Sequence, residues 1–205
     1  YEITNITGDT DDDGNDIIDE DDQIENLSLS MDRVATLETR SVRGLAVSAT
    51  AKDHIESIAA GGAVSGTAAV SAAATVDTVW NETRAYIAEG AEINQNNKDA
   101  HVDQSVMVAA GTDYYHLGIA GTLAGSGTAG VGPGADISAV SNATNAFIGS
   151  SAVVTALKDV EVQAYAQEDI LSITAAAGIG GAAGVAGGAS INYINNLAHA
   201  YIDDG

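Results

Sequence analysis

The chain contains no cysteine, so disulfides are excluded and thiols say nothing about redox compartment. Basic residues are nearly as scarce: seven Lys and Arg stand against 29 Asp and Glu, for a net charge of −22. Nucleic-acid phosphates need Lys and Arg to replace their counterions, which argues against a nucleic-acid partner. An anionic membrane surface is disfavoured on the same ground. Charge disappears altogether from residues 57–76 and, past Asp169, from 170–202, but these stretches are Gly, Ala, Ser and Thr, with little Leu or Phe. Small-xxx-small spacing is abundant there, yet the drive to insert is missing, so no membrane span is expected. No signal peptide opens the chain, and it ends just after a repeated Ala-Tyr-Ile. The expectation is a mature product or a piece cut from a longer array.

What the chain does have is a repeat of about forty residues, present in three copies that align without a gap. Val47, Ile58, Asn81, Ala85 and Ile87 in the first copy match Val108, Ile119, Asn142, Ala146 and Ile148 in the second. Val162, Ile173, Asn196, Ala200 and Ile202 match them in the third. The step from the first copy to the second is longer than the step from the second to the third, and the difference falls in the polar connector 92–104. Each copy must be one structural unit stacked on its neighbours. The boundaries read as an acidic lead-in, residues 1–44, then repeat units 45–104, 105–158 and 159–205.

Alternation with a period of two runs through each unit and predicts strands. It appears in Leu45, Val47 and Ala49, in Val106, Val108 and Ala110, and in Val160, Val162 and Ala164. The Gly/Ala tracts alternate as well: Ala68, Val70, Ala72, Ala74 and Val76 share one phase, as do Ala183, Val185, Gly187, Ala189 and Ile191. The other phase turns polar at Asp77, Asp136 and Asn192. A helix rich in glycine is poor by roughly 1 kcal/mol per interior Gly, whereas closely stacked sheets require small residues. The expected fold is all-β, a parallel β-helix (β-solenoid) with rungs about 4.8 Å apart. A slip of phase between Val76 and Val79 predicts a bulge or corner there.

The closing segments Asn81–Ile87, Asn142–Ile148 and Asn196–Ile202, the Gly/Ala tracts before them and the Asp159–Ala164 opening resemble large bacterial filamentous adhesins. These are of the filamentous-hemagglutinin and fusobacterial-leukotoxin type, and the resemblance covers residues 45–205. It implies a long parallel β-helix, exported to the bacterial surface and used for adhesion or biofilm structure. The acidic opening segment, Tyr1 to Glu25, stands outside the repeat, and the third copy lacks the Thr of Asn-x-Thr.

The strongest local motif is Asp9–Glu20, which fits the twelve-residue calcium loop D-x-D-x-D-G-x5-E. Asp9, Asp11 and Asp13 supply carboxylates, Asn15 a carbonyl, Ile17 a water-mediated position and Glu20 a bidentate carboxylate. Gly14 permits the sharp turn. Asp16 stands where such loops are usually apolar, and no helix-forming sequence precedes the loop. The alternative is a solvated acidic run; Ca2+ is the expected cofactor.

Sequons occur at Asn5, Asn26, Asn81 and Asn142. Asn196 keeps its place without the Thr, so the repeated Asn is expected to be an inward amide that satisfies backbone groups at a corner. Tyr86, Phe147 and Tyr201 share one repeat position and are expected to stack. His54, His101, His116 and His199 lie in four unlike contexts without a ligand at i+3 or i+4, so spacing assigns no zinc site. No catalytic grouping recurs, and the chain is not expected to be an enzyme. The leading expectation is a calcium-stabilised structural or adhesive segment at the bacterial cell surface, with a host ligand that the residues do not specify. Two others are a self-assembling filament, in which the Tyr1–Thr7 strand adds to a neighbour's edge, and a pore-forming toxin segment.

Overall fold

Interior glycines and β-branched Val, Ile and Thr disfavour helix, and alternation with a period of two favours extended chain. The computed structural model, which describes residues 2–6 and 37–204, is built of strands, with no helix among the described residues. None of those residues therefore forms a helix long and apolar enough to cross a membrane. The strands are β1 (Glu2–Ile6), β2 (Leu37–Ser41), β3 (Gly44–Ser65), β4 (Ala68–Val70), β5 (Ala73–Ile87) and β6 (Glu92–Ile93). They continue with β7 (Ser105–Ser126), β8 (Ala129–Ile148), β9 (Val153–Val154), β10 (Val160–Gly180) and β11 (Ala183–Ile202).

Two parallel sheets make up the body. One has the order β10-β7-β3; in the other β8 lies between β11 on one side and β4 and β5 on the other. The small pair β6–β9 is also parallel, and only β1 with β2 is antiparallel among the described strands. Each repeat thus contributes to both sheets and forms one tier: its first strand lies in one sheet, turns over a short tip and returns in the other. The register is the repeat alignment itself. Val47 pairs with Val108 and Val108 with Val162. Asn81 pairs with Asn142 and Asn142 with Asn196. Both sheets keep the same step from tier to tier, and in both the first step is the longer one. The additional residues of that first step lie in the connector between Ile87 and Ser105, outside both sheets. The left-handed residues Gly90 and Ser151 occupy equivalent turns after β5 and β8.

The sheets pack face to face over an interior that changes along the strands. At the open end Val106, Val108 and Ala110 meet Ala85, Ile87, Ala146 and Ile148, and Leu45, Val47, Val162 and Ala164 complete that cluster. Toward the tips the sheets close in. A Cβ at Gly130 would stand 2.7 Å from the Ala124 carbonyl oxygen and 2.5 Å from that of Ile179, so nothing larger than glycine fits.

The register of β5 overturns the expected slip of phase. β5 pairs without interruption from Ala73 to Ile87, and Thr75, Asp77, Val79, Asn81, Thr83, Ala85 and Ile87 all point inward. Val70 and Val76 face out, 70% and 67% exposed, as do Val185 and Ile191. β5 keeps one parity from Ala73 to Ile87, so residues in phase with Ala85 and Ile87 point inward whatever their polarity. Inside, Thr75 donates to Asp136 on the adjacent strand and Asp77 accepts from Ser57 across the gap.

Candidate functional site

Inward polar residues from all three tiers line up between the tips and the apolar end. The closing-strand ladder Asn81, Asn142 and Asn196 faces a second ladder, Asp53, Tyr114 and Glu168, on the opposite sheet. The Asn81 amide donates to Asp53, Asn142 donates to Glu168 Oε1 at 2.9 Å, and Asn196 donates to the other Glu168 oxygen. The repeated Asn is inward as expected, with Asn142 fully buried, but its partners are carboxylates rather than free backbone groups. Asn81, Asn142 and Asn196 follow Asp53, Tyr114 and Glu168 at one constant separation along the chain, a regularity that the repeat alignment contained. Burial pushes the Glu168 carboxyl above its ordinary range, and the charges of Asp169 and Asp113 add to this; the two amides pull the other way.

Next to this ladder the threonines of the Asn81 and Asn142 sequons are buried. Thr112 links Thr83 at 3.0 Å and Thr144 at 2.7 Å. A glycosylation enzyme needs that hydroxyl exposed, so both sequons are closed in the folded chain.

One turn of the alternation further toward the tip lies a buried group of a different kind. His116 of β7 and Asp136 of β8 are both fully buried, and Asp77 of β5 is largely so. His116 Nε2 lies 3.9 Å from Asp77 Oδ2 and 3.9 Å from Asp136 Oδ1, and all three ligand atoms fall within 4.8 Å of one another. Ser57 donates to Asp77 Oδ1 at 2.8 Å and Thr75 donates to Asp136 Oδ1, which fixes both carboxylates. Neither His116 ring nitrogen has a hydrogen-bond partner, nor does Asp77 Oδ2 or Asp136 Oδ2. Tyr114 and Ser138 border the group. Burial pushes the Tyr114 phenol up, the Ser138 hydroxyl opposes this, and the Asp77 and Asp53 charges push it the same way as burial. The donor set, one imidazole and two carboxylates, can bind a divalent cation.

Spacing along the chain missed His116 because its partners come from other strands. The signal lay in the repeat: Ile55 and Ile170 occupy the same position in the neighbouring tiers. The aromatic expectation holds. Tyr86, Phe147 and Tyr201 stack on the outer face, with centroids 5.1 Å apart in both pairs and planes 7° and 4° from parallel. The expected calcium loop of Asp9, Asp11, Asp13, Asn15, Ile17 and Glu20 lies outside the described residues. Of the Tyr1–Thr7 segment expected to add to a neighbour's edge, Glu2–Ile6 pairs within the chain with Leu37–Ser41.

Comparison with known proteins finds no matching family model, no matching curated protein and no matching solved structure.

Proposed function

We propose that the chain is a β-solenoid whose work is structural: a non-enzymatic segment of an adhesive or matrix scaffold at a bacterial surface. The observation that carries this reading is the register. One repeat step governs both sheets, so each repeat is one rung, and further rungs can be added by the same pairing. Such an array is a stiff rod held by backbone ladders and a continuous interior. Calcium held by Asp9–Glu20 offsets carboxylate repulsion in the acidic segment that precedes it.

A second reading, a filament of self-associating copies, draws support from the third tier. Ile194 and Ile202 occupy interior positions, yet they are 51% and 64% exposed, against 1% and 3% for their partners Val140 and Ile148. The outer edges of β10 and β11 carry no strand among the described residues. Covering that interior requires another rung, from a longer chain or from a second copy.

Negative-stain electron microscopy with millimolar calcium and with excess EDTA tests both readings. Short single rods in both conditions support an adhesin segment, and uniform filaments support the self-assembling alternative. Globular particles without axial extension would overturn both.

A further inference from the structure

Burying two carboxylates and an imidazole away from solvent is costly unless charge and hydrogen bonds are balanced. Here they are balanced on one side only. Ser57 and Thr75 satisfy one oxygen of each carboxylate, while the other oxygens and both His116 nitrogens have no hydrogen-bond partner. The group is also peculiar to one place in a repetitive molecule. His116 stands between Ile55 and Ile170 in the register, Asp136 between Thr75 and Ser190, and Asp77 pairs with Ser138. Gly118 stands between Ser57 and Ser172, and a Cβ there would collide with the Asp136 carboxylate. His116 and Gly118 thus depart from residues that the other two tiers share, and they meet Asp136 and Asp77 at two positions that are polar in every tier. Core packing alone does not call for this set, because the third tier carries Ile170, Ser172, Ser190 and Asn192 in the same places.

We infer that Asp77, His116 and Asp136 bind one first-row divalent cation, with zinc the best match, and that this ion clamps the first tier to the second and one sheet to the other. A divalent ion neutralises the two carboxylates that the interior otherwise holds. One imidazole nitrogen and two carboxylate oxygens give zinc three protein ligands, and a water or the second oxygen of one carboxylate completes the four it takes. Calcium and magnesium demand six or more oxygens or a retained water shell, whereas this group offers two carboxylates and a nitrogen donor that neither ion favours. His116 Nε2 stands 3.9 Å from each carboxylate and all three ligand atoms lie within 4.8 Å of one another, so drawing them onto one ion needs contractions of about 0.5–1.5 Å for bonds near 2.0–2.2 Å. Asp77 is the one ligand open toward the edge of the first tier, which marks the entry side. The ligands come from β5, β7 and β8, so the ion stabilises the register and not a catalytic surface. The inference rests on strand register and on the geometry of these side chains, and stands whether or not the chain forms rods or filaments.

The test uses the full chain without a histidine tag, stripped with chelator and returned to buffer with excess calcium, so that the acidic segment is equally occupied in every sample. Zinc is titrated by calorimetry, cobalt binding is followed by visible absorption, and the melting temperature is read with and without zinc. The wild type should bind one more equivalent of zinc than His116→Ile, show cobalt d–d bands that the variant lacks, and gain thermal stability that the variant does not. Ile is the residue of both neighbouring tiers, so the variant should keep its strand spectrum. Should it not fold, Asp136→Thr, which places the first tier's residue in the second, takes its role, and the wild-type cobalt spectrum is read independently. Equal zinc stoichiometry in wild type and a folded variant would overturn the inference. So would a wild type whose melting temperature ignores zinc, leaving a hydrogen-bonded cluster without metal.

Discussion

The two halves of the interior follow different rules. At the open end all three tiers repeat themselves: Val47, Val108 and Val162 stack, as do Ala85, Ala146 and Ala200, and Ile87, Ile148 and Ile202. Toward the tips the tiers diverge, with Ile55, His116 and Ile170 at one position and Thr75, Asp136 and Ser190 at another. Repetition marks the part whose task is packing, since one apolar solution serves every tier. Divergence marks the part where stacked positions exchange apolar for polar and ionisable side chains. In a repeat protein a residue's meaning lies in its departure from the stacked neighbours more than in its own identity.

The sharpest way to break this contrast is at the closest approach of the sheets. Gly130→Val puts two methyl groups against the Ala124 and Ile179 carbonyl oxygens, backbone atoms that cannot step aside. Overpacking ordinarily costs about 1–3 kcal/mol, and here the sheets themselves must separate, so the cost should exceed about 4 kcal/mol. Loss of cooperative thermal unfolding by circular dichroism is the expected result, and a normal melt would mean that the tips are looser than described. Ile148→Ala comes next. Its side chain is 3% exposed within the apolar cluster, and truncation should cost about 2–5 kcal/mol in denaturant unfolding. Ile202→Ala at the same repeat position, 64% exposed, should cost less than about 1 kcal/mol. If the two cost the same, the third tier is covered in solution by another copy.

The repeat alignment contained the whole register, because copies that align without a gap, from Val47 to Val108 to Val162, admit only one in-line pairing of tiers. The direction of the side chains near the tips was not legible. Val76 and Asp77 are adjacent, and hydrophobicity alone sends the valine inward. What decides is that β5 runs to Ile87 without a bulge, so Asp77 shares the inward parity of Ala85 and Ile87. Asp53 and Glu168 went unnoticed for a related reason: isolated acids look solvated until the alignment sets them opposite Asn81 and Asn196. His116 looked like a histidine without partners, since Asp77 and Asp136 reach it only through the fold.

The outer face offers a milder test of stacking between tiers. Phe147 lies between Tyr86 and Tyr201, and each stacked pair contributes about 0.5–1.5 kcal/mol when well packed. Phe147→Ala should therefore cost about 1–2 kcal/mol, and Phe147→Leu should recover the burial without the stacking. The difference between these variants in chemical denaturation isolates the ladder. Equal losses would reduce the aromatic column to ordinary apolar contact.

The smallest change concerns Glu168, whose effect is on slope more than on height. Its carboxyl titrates above its ordinary range in the folded chain because it is buried, so the folded state holds that proton more tightly than the unfolded one. Below the unfolded value the contribution to stability is fully present. As pH rises from there through the raised folded value it is lost, because the unfolded chain gives up the proton first. Glu168→Gln removes the titration while keeping one oxygen to accept from Asn142 or Asn196, and the displaced amide can turn to find another acceptor. At neutral pH the net change in stability should stay below about 1 kcal/mol, since relief from burying a charge opposes the loss of one charged hydrogen bond. The wild type minus variant difference should fall as pH rises across the weakly acidic range and be flat above it. A difference that rises with pH would mean that the two amides outweigh burial and that the Asn ladder exists to hold a charge. A falling one identifies it as a ladder that tolerates a carboxyl where the second tier, with Tyr114 in the same place, does without.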